Sequence, residues 1–133
     1  PGFSEPSFAK TKGSKDFEMS DSKLELISKK VNSYIIDKPY INPSFTVSLM
    51  SSQTGIPAHH ISYYFNVYLK VDFTTWKNNL RIDYAIELIN NGLADKLTLD
   101  AILRKVGFLS RSTFIRAFKK RTGKTPSDYL SLE

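Results

Sequence analysis

Apolar residues recur along most of this chain at three- and four-residue spacing, and nowhere do they alternate as a half-buried strand would. Leu24, Ile27, Val31 and Ile35 set a first helical stripe. Ser22-Lys23-Leu24-Glu25 has the Ser-x-x-Glu form of a capping box, so ordered structure is expected from about Ser20, and Pro39 stops this helix. Thr46 can cap a short second helix that carries Val47, Leu49 and Met50 and closes at Gly55. After Pro57 a third helix runs to about Tyr68, with Ile61, Tyr64, Phe65 and Tyr68 as its buried stripe. Thr74 or Thr75 opens a long fourth helix to about Asn90, stopped by Asn91-Gly92. Thr98 caps a fifth helix ending at Gly107. Ser110 caps a sixth, with Phe114, Ala117, Phe118 and Arg121 on one stripe and Gly123 at its end. Thr125-Pro126-Ser127 starts a short seventh with Tyr129 and Leu130 inward. The pattern predicts an all-α fold of about seven helices.

The fourth helix carries two apolar stripes, one of Trp76, Leu80, Tyr84 and Leu88, the other of Ile82, Ala85, Ile86 and Ile89. A surface helix needs only one. Two stripes predict a helix that bridges two halves, with Trp76 in the core. Arg81 on this helix is expected to pair with Asp83 or Glu87, the other option being a phosphate. The resulting division is a flexible linker over residues 1–20, rich in Ser, Lys, Gly and Pro, a first subdomain over 21–72, the linker helix over 73–92 and a second subdomain over 93–133.

The halves repeat each other. Thr46 to Gly55 has the same spacing as Thr98 to Gly107, and a turn and a longer helix follow each glycine. Residues 58–65 lie over residues 111–118, and Phe73-Thr74-Thr75-Trp76 over Pro126-Ser127-Asp128-Tyr129. Short helix, Gly-containing turn, longer helix is the helix-turn-helix arrangement, whose second helix enters the DNA major groove. A plain helical bundle with a duplicated hairpin is the bland alternative.

Charge narrows the choice. The chain carries 19 Lys and Arg against 13 Asp and Glu, net +6. Residues 97–133 hold eight basic and three acidic residues, net +5, so nearly all the excess lies in the second half of the repeat. Such a patch attracts polyanions, either nucleic acid or an anionic membrane face, where it is more than a solvated basic surface. The absence of cysteine removes disulfides, thiolate zinc sites and Cys nucleophiles. His59 and His60 are adjacent, so on a helix they point about 100° apart and cannot share a metal. With no nucleophile–base pair, metal spacing or phosphate loop, no enzyme and no cofactor is expected. No apolar run reaches membrane-span length. Pro1-Gly2 at the start reads as a processed or excised piece of a longer chain.

Residues 97–129, LTLDAILRKVGFLSRSTFIRAFKKRTGKTPSDY, resemble the C-terminal signature of AraC/XylS-type transcription regulators. Phe108 after Gly107, the run Phe118-Lys119-Lys120, and Gly123 with Pro126 and Tyr129 carry the likeness, which extends over about residues 22–131. In two places the first unit departs from the pattern: Lys70 stands where the family has Gly, and Phe73 where it has Pro. The resemblance implies two helix-turn-helix units joined by a long helix, reading successive major grooves of double-stranded DNA in a bacterial regulator. It also implies RNA polymerase as a partner, a sensing or dimerising domain outside this chain, and no small-molecule ligand within it. The location implied is cytoplasmic and nucleoid-associated, with Lys10, Lys12 and Lys15 fitting a tether to a membrane sensor as the alternative to a solvated linker.

On the sixth helix the face opposite the core carries Arg111, Ser112, Ile115 and Arg116, expected at base edges: Arg can grip guanine in bidentate fashion and Ile can meet a thymine methyl. On the third helix the outward His59, Ser62 and Tyr63 are expected at bases or sugars, although this helix is poor in basic residues. Arg104, Thr113, Lys119, Lys120, Lys124 and Asn66 are expected at phosphates, which fix register without reading sequence. The competing function is a non-specific nucleic-acid or anionic-membrane-surface module, which needs only the basic patch.

Overall fold

The computed structural model describes residues 18–131; most of the expected linker, with Lys10, Lys12 and Lys15, lies outside the described residues. Those residues contain seven α-helices and no strand: α1 Asp21–Tyr34, α2 Val47–Thr54, α3 Ala58–Tyr63, α4 Phe73–Asn90, α5 Leu99–Lys105, α6 Arg111–Thr122 and α7 Pro126–Ser131. The all-α expectation of about seven helices holds.

Hydroxyl caps set most of the starts. Thr46 Oγ1 accepts from Leu49 N at 3.1 Å, Thr98 Oγ1 from Ala101 N at 3.1 Å, Ser110 Oγ from Thr113 N at 3.3 Å and Thr125 Oγ1 from Asp128 N at 3.1 Å. Each satisfies an amide that the first helical turn leaves without a partner. The first helix starts earlier than its expected capping box. Ser20 is the cap, extended at its own backbone, and its Oγ accepts from Lys23 N at 3.2 Å. Ser22 is therefore already helical, and Asp21 takes the first turn, where a carboxylate suits the helix dipole.

The chain forms two compact units. Among the described residues, one comprises the chain from residue 18 to Lys38 together with Thr46–Phe73; the other comprises Pro39–Phe45 and residues 74–131. In the first unit Leu24, Ile27 and Val31 of α1 are buried, as are Met50 of α2 and Ile61 of α3. In the second, Ile82, Ala85 and Ile89 of α4 join Ile102, Leu103, Val106, Phe108, Phe114 and Phe118 in one core. Phe114 stands at its centre, with ring centroids 5.3 Å from Phe108 and 5.7 Å from Phe118.

Pro39–Phe45 joins the second unit because its carbonyls serve α4. Arg81 Nε donates to Tyr40 O at 2.6 Å and Arg81 Nη2 to Asn42 O at 2.9 Å, while Lys77 Nζ donates to Phe45 O at 3.2 Å. Arg81 is 5% exposed, and its guanidinium sits 5.5 Å from the centre of the Phe108 ring. This overturns both expectations for Arg81. It pairs with neither Asp83 nor Glu87 and faces no solvent from which to reach a phosphate. Its position explains why: residues 81, 85 and 89 share one face of α4, and Ala85 and Ile89 are core. Burial pulls its guanidinium down to about 10, still charged at neutral pH, and carbonyl dipoles take the place of a carboxylate.

Candidate nucleic-acid interface

Both helix-turn-helix candidates form, and their turns are built differently. In the second unit α5 ends in a Schellman motif: Phe108 N donates to Leu103 O at 2.9 Å and Gly107 N to Arg104 O at 3.1 Å. Gly107 has φ +111°, and a Cβ placed on it would lie 2.7 Å from Arg81 Nε, 2.9 Å from Tyr40 O and 3.0 Å from Ile41 O. Two separate constraints therefore demand glycine, the backbone sign and the guanidinium beneath. In the first unit Gly55 N makes a single bond to Ser51 O at 2.9 Å. Here side chains complete the turn, Ser51 Oγ donating to Ile56 O at 2.6 Å and Thr54 Oγ1 accepting from Ile56 N at 3.1 Å. A Cβ at Gly55 would touch nothing within 4 Å.

Helix α6 contains no acidic residue, and Arg111, Ser112, Arg116, Lys119 and Lys120 are all exposed on it. Lys119, Lys120 and Arg121 lie in its last turn, where cations suit the dipole. Ile115 differs from the expectation of an exposed side chain: it is half-buried and packs against the core of the second unit. Thr113 is also half-buried, its Oγ1 2.9 Å from the capping Ser110 Oγ. Arg104 is exposed and its Nη1 reaches Leu109 O at 3.4 Å, bracing the turn ahead of α6; Lys124 is exposed beyond the end of α6.

Two exposed ion pairs escaped the sequence reading. Arg111 Nη2 lies 2.9 Å from Asp100 Oδ1, which also accepts from Arg111 Nε at 3.0 Å. Arg121 forks Asp83, Nε to Oδ1 at 3.0 Å and Nη2 to Oδ2 at 2.9 Å, and this carboxylate holds the guanidinium above its usual range. Arg121 was expected on the apolar stripe, and Asp83 beside Arg81. The two are 38 residues apart, and local spacing cannot reveal such a pair.

The first unit is less basic and less regular. Helix α3 passes without a break into a π-helical stretch, Tyr64–Leu69. Its wider i to i+5 turns take an extra residue, so the 3.6-residue stripe slips out of register. Tyr64 and Phe65 are buried as expected, but Tyr68 is 44% exposed and stacks on Tyr64 at 5.3 Å. Lys70 ends this stretch at φ +56°, a left-handed conformation at the position where the family pattern has glycine. His59 and Asn66 are exposed, whereas Ser62 and Tyr63 are half-buried. His60 is half-buried with its ring edge against His59 at 4.5 Å, and burial, then His59 and Lys23, lowers its affinity for a proton.

Among the described residues no group of His, Cys, Asp and Glu could hold a metal, and no helix is long and apolar enough to cross a membrane. The family model described as a helix-turn-helix domain matches residues 50–131, more than half of the chain. A curated relative, an HTH-type transcriptional regulator RipA from Corynebacterium diphtheriae, is 37% identical over 59 residues, covering 44% of this chain and 16% of that regulator. Among solved structures, a protein of unknown function from Listeria innocua matches 80% of this chain and 97% of its own, with 28% identity and a TM-score of 0.68. The C-terminal domain of the two-component response regulator yesN from Fusobacterium nucleatum matches 77% of this chain and 96% of its own, with 26% identity and a TM-score of 0.58. The C-terminal domain of AraT, a response regulator from Geobacillus stearothermophilus, shares the fold at 23% identity, covering 79% of this chain and 84% of its own with a TM-score of 0.66.

Proposed function

This chain belongs to the AraC-type helix-turn-helix family of DNA-binding transcription regulators, and from that premise we propose that it reads a specific double-stranded DNA sequence with one helix from each unit, α3 and α6, in successive major grooves. The observation that carries the reading is α6: a helix with no acidic residue, set off by a glycine turn, with Arg111, Ser112 and Arg116 exposed toward its start and middle and Lys119 and Lys120 at its end. Arg111, Ser112 and Arg116 read base edges, and Ile115 adds an apolar contact from its exposed part. Arg104, Thr113, Lys119, Lys120 and Lys124 hold phosphates. In the first unit His59, Ser62 and Tyr63 contact bases or sugars and Asn66 a phosphate. The bound domain positions RNA polymerase, and a sensing or dimerising domain outside these residues controls it in the cytoplasm. No chemistry is performed on the DNA.

Selection from a random duplex pool at about 150 mM salt tests this. The expected result is an enriched motif with two halves about one helical turn apart. One half alone would remove base reading from α3. No enrichment, with binding that fades steeply as salt rises, would replace the proposal with a non-specific polyanion binder.

A further inference from the structure

We propose that Asp100 is a specificity-determining positioning residue, whose carboxylate orients the Arg111 guanidinium so that its outer fork meets a base edge. The inference rests on the reading of α6 as the helix that reads bases. Arg111 is the first residue of α6, and Asp100 lies in the first turn of α5. A single oxygen, Asp100 Oδ1, takes Arg111 Nε at 3.0 Å and Nη2 at 2.9 Å. A guanidinium has five N–H groups in a planar fork. This contact occupies the inner edge and leaves Nη1 and the second Nη2 hydrogen on the outer edge, two parallel donors that match guanine O6 and N7.

Fold stability does not account for the pair. The two side chains are 61% and 53% exposed, and an ion pair so open to water adds little. A carboxylate beside a DNA-facing helix also repels phosphate, which weakens binding to any sequence. What the pair does provide is loss of rotamer freedom in Arg111 before DNA arrives, which lowers the entropy lost on binding. Asp100 thus trades some general affinity for discrimination at one base pair.

The test uses the whole chain and a set of duplexes, the best sequence from the random pool and its single-base variants, with binding read by fluorescence anisotropy. Arg111→Ala is expected to flatten preference at one base pair by about 5- to 150-fold. Asp100→Asn should flatten the same base pair by about 2- to 10-fold, leave the other positions unchanged, and keep or raise affinity for a random duplex. Asp100→Glu should restore part of the preference, and the double variant Asp100→Asn with Arg111→Ala should match Arg111→Ala alone. If Arg111→Ala flattens one position and Asp100→Asn does not, the role of Asp100 is refuted while the reading of α6 stands. A uniform loss for Asp100→Asn at every sequence refutes it too, as a merely structural effect. If Arg111→Ala flattens no position, the base contact itself fails and the role of Asp100 goes with it.

Discussion

Gly55 and Gly107 occupy equivalent places in the two halves of the repeat, yet alanine should affect them very differently. At Gly55, φ is +79° and an added methyl group meets nothing within 4 Å, so Gly55→Ala incurs only left-handed backbone strain, about 1–2 kcal/mol. At Gly107, φ is +111°, well beyond the left-handed well, and strain there is about 1–3 kcal/mol. The methyl group also arrives 2.7 Å from Arg81 Nε and 2.9 Å from Tyr40 O, the two ends of a buried hydrogen bond. That pair must part, and a hydrogen bond to a charged group contributes about 1.5–3 kcal/mol. The sum for Gly107→Ala is about 2.5–6 kcal/mol, against a total stability of about 5–15 kcal/mol for a domain of ordinary size. Urea unfolding followed by tryptophan fluorescence and circular dichroism measures both variants. Trp76 belongs to the second unit, so its signal reports where the larger loss is expected. If the two alanine variants lose the same stability within about 1 kcal/mol, the methyl group at position 107 does not part Arg81 from Tyr40.

Other substitutions separate the roles along α6 and test the first unit. Arg116→Ala should cost about 1–3 kcal/mol on the best duplex and relax preference at one base pair, whereas a uniform loss across sequences would make Arg116 a phosphate contact. Lys119→Ala should weaken all duplexes alike and flatten the logarithmic salt slope by about 1; an unchanged slope removes it from the phosphate set. Lys70→Gly should stabilise the chain by about 0.5–1 kcal/mol, because relief of left-handed strain exceeds the added entropy of glycine, and a lowered urea midpoint would contradict this. His60 has a folded-state proton affinity below its ordinary value of 6.5, so the unfolded chain takes up the proton first and stability falls as pH drops through that value. His60→Gln should flatten this part of the stability–pH curve, measured by thermal melting from pH 8 to pH 5; an unchanged slope would assign it to other groups.

Local chemistry made much of the fold legible. The hydroxyl caps at Thr46, Thr98, Ser110 and Thr125 and the glycine stops act within one helical turn, so a linear pattern displays them. The misreadings have a common cause in distance or register. Arg121 and Asp83 meet across 38 residues, and Arg81 finds its acceptors about 40 residues upstream. The signal for Arg81 is nonetheless present in the sequence: it shares its helical face with Ala85 and Ile89, which places it in the core rather than beside Asp83 or Glu87. Tyr68 leaves the expected stripe because Tyr64–Leu69 winds more widely than 3.6 residues per turn allows. At the candidate interface, exposure of Arg111, Ser112, Arg116 and the lysines was readable from the opposite core stripe. The carboxylate holding Arg111 was not, because Asp100 lies on the preceding helix.

Pro39–Phe45 has a consequence for how this protein is made and how it can be cut. Tyr40 precedes Arg81 by 41 residues, so on a ribosome the acceptors emerge well before the cation they serve. Until α4 follows, the carbonyls of Tyr40, Asn42 and Phe45 lack the Arg81 and Lys77 side chains as donors. A proteolytic fragment starting at Thr74 would keep every α-helix of the second unit but none of those carbonyls, so Arg81 would lose the two acceptors at Tyr40 and Asn42, and Lys77 the Phe45 carbonyl. The second unit is therefore discontinuous in sequence. The two halves of the repeat cannot be exchanged as cassettes at a single junction, however alike they look when written out in one line.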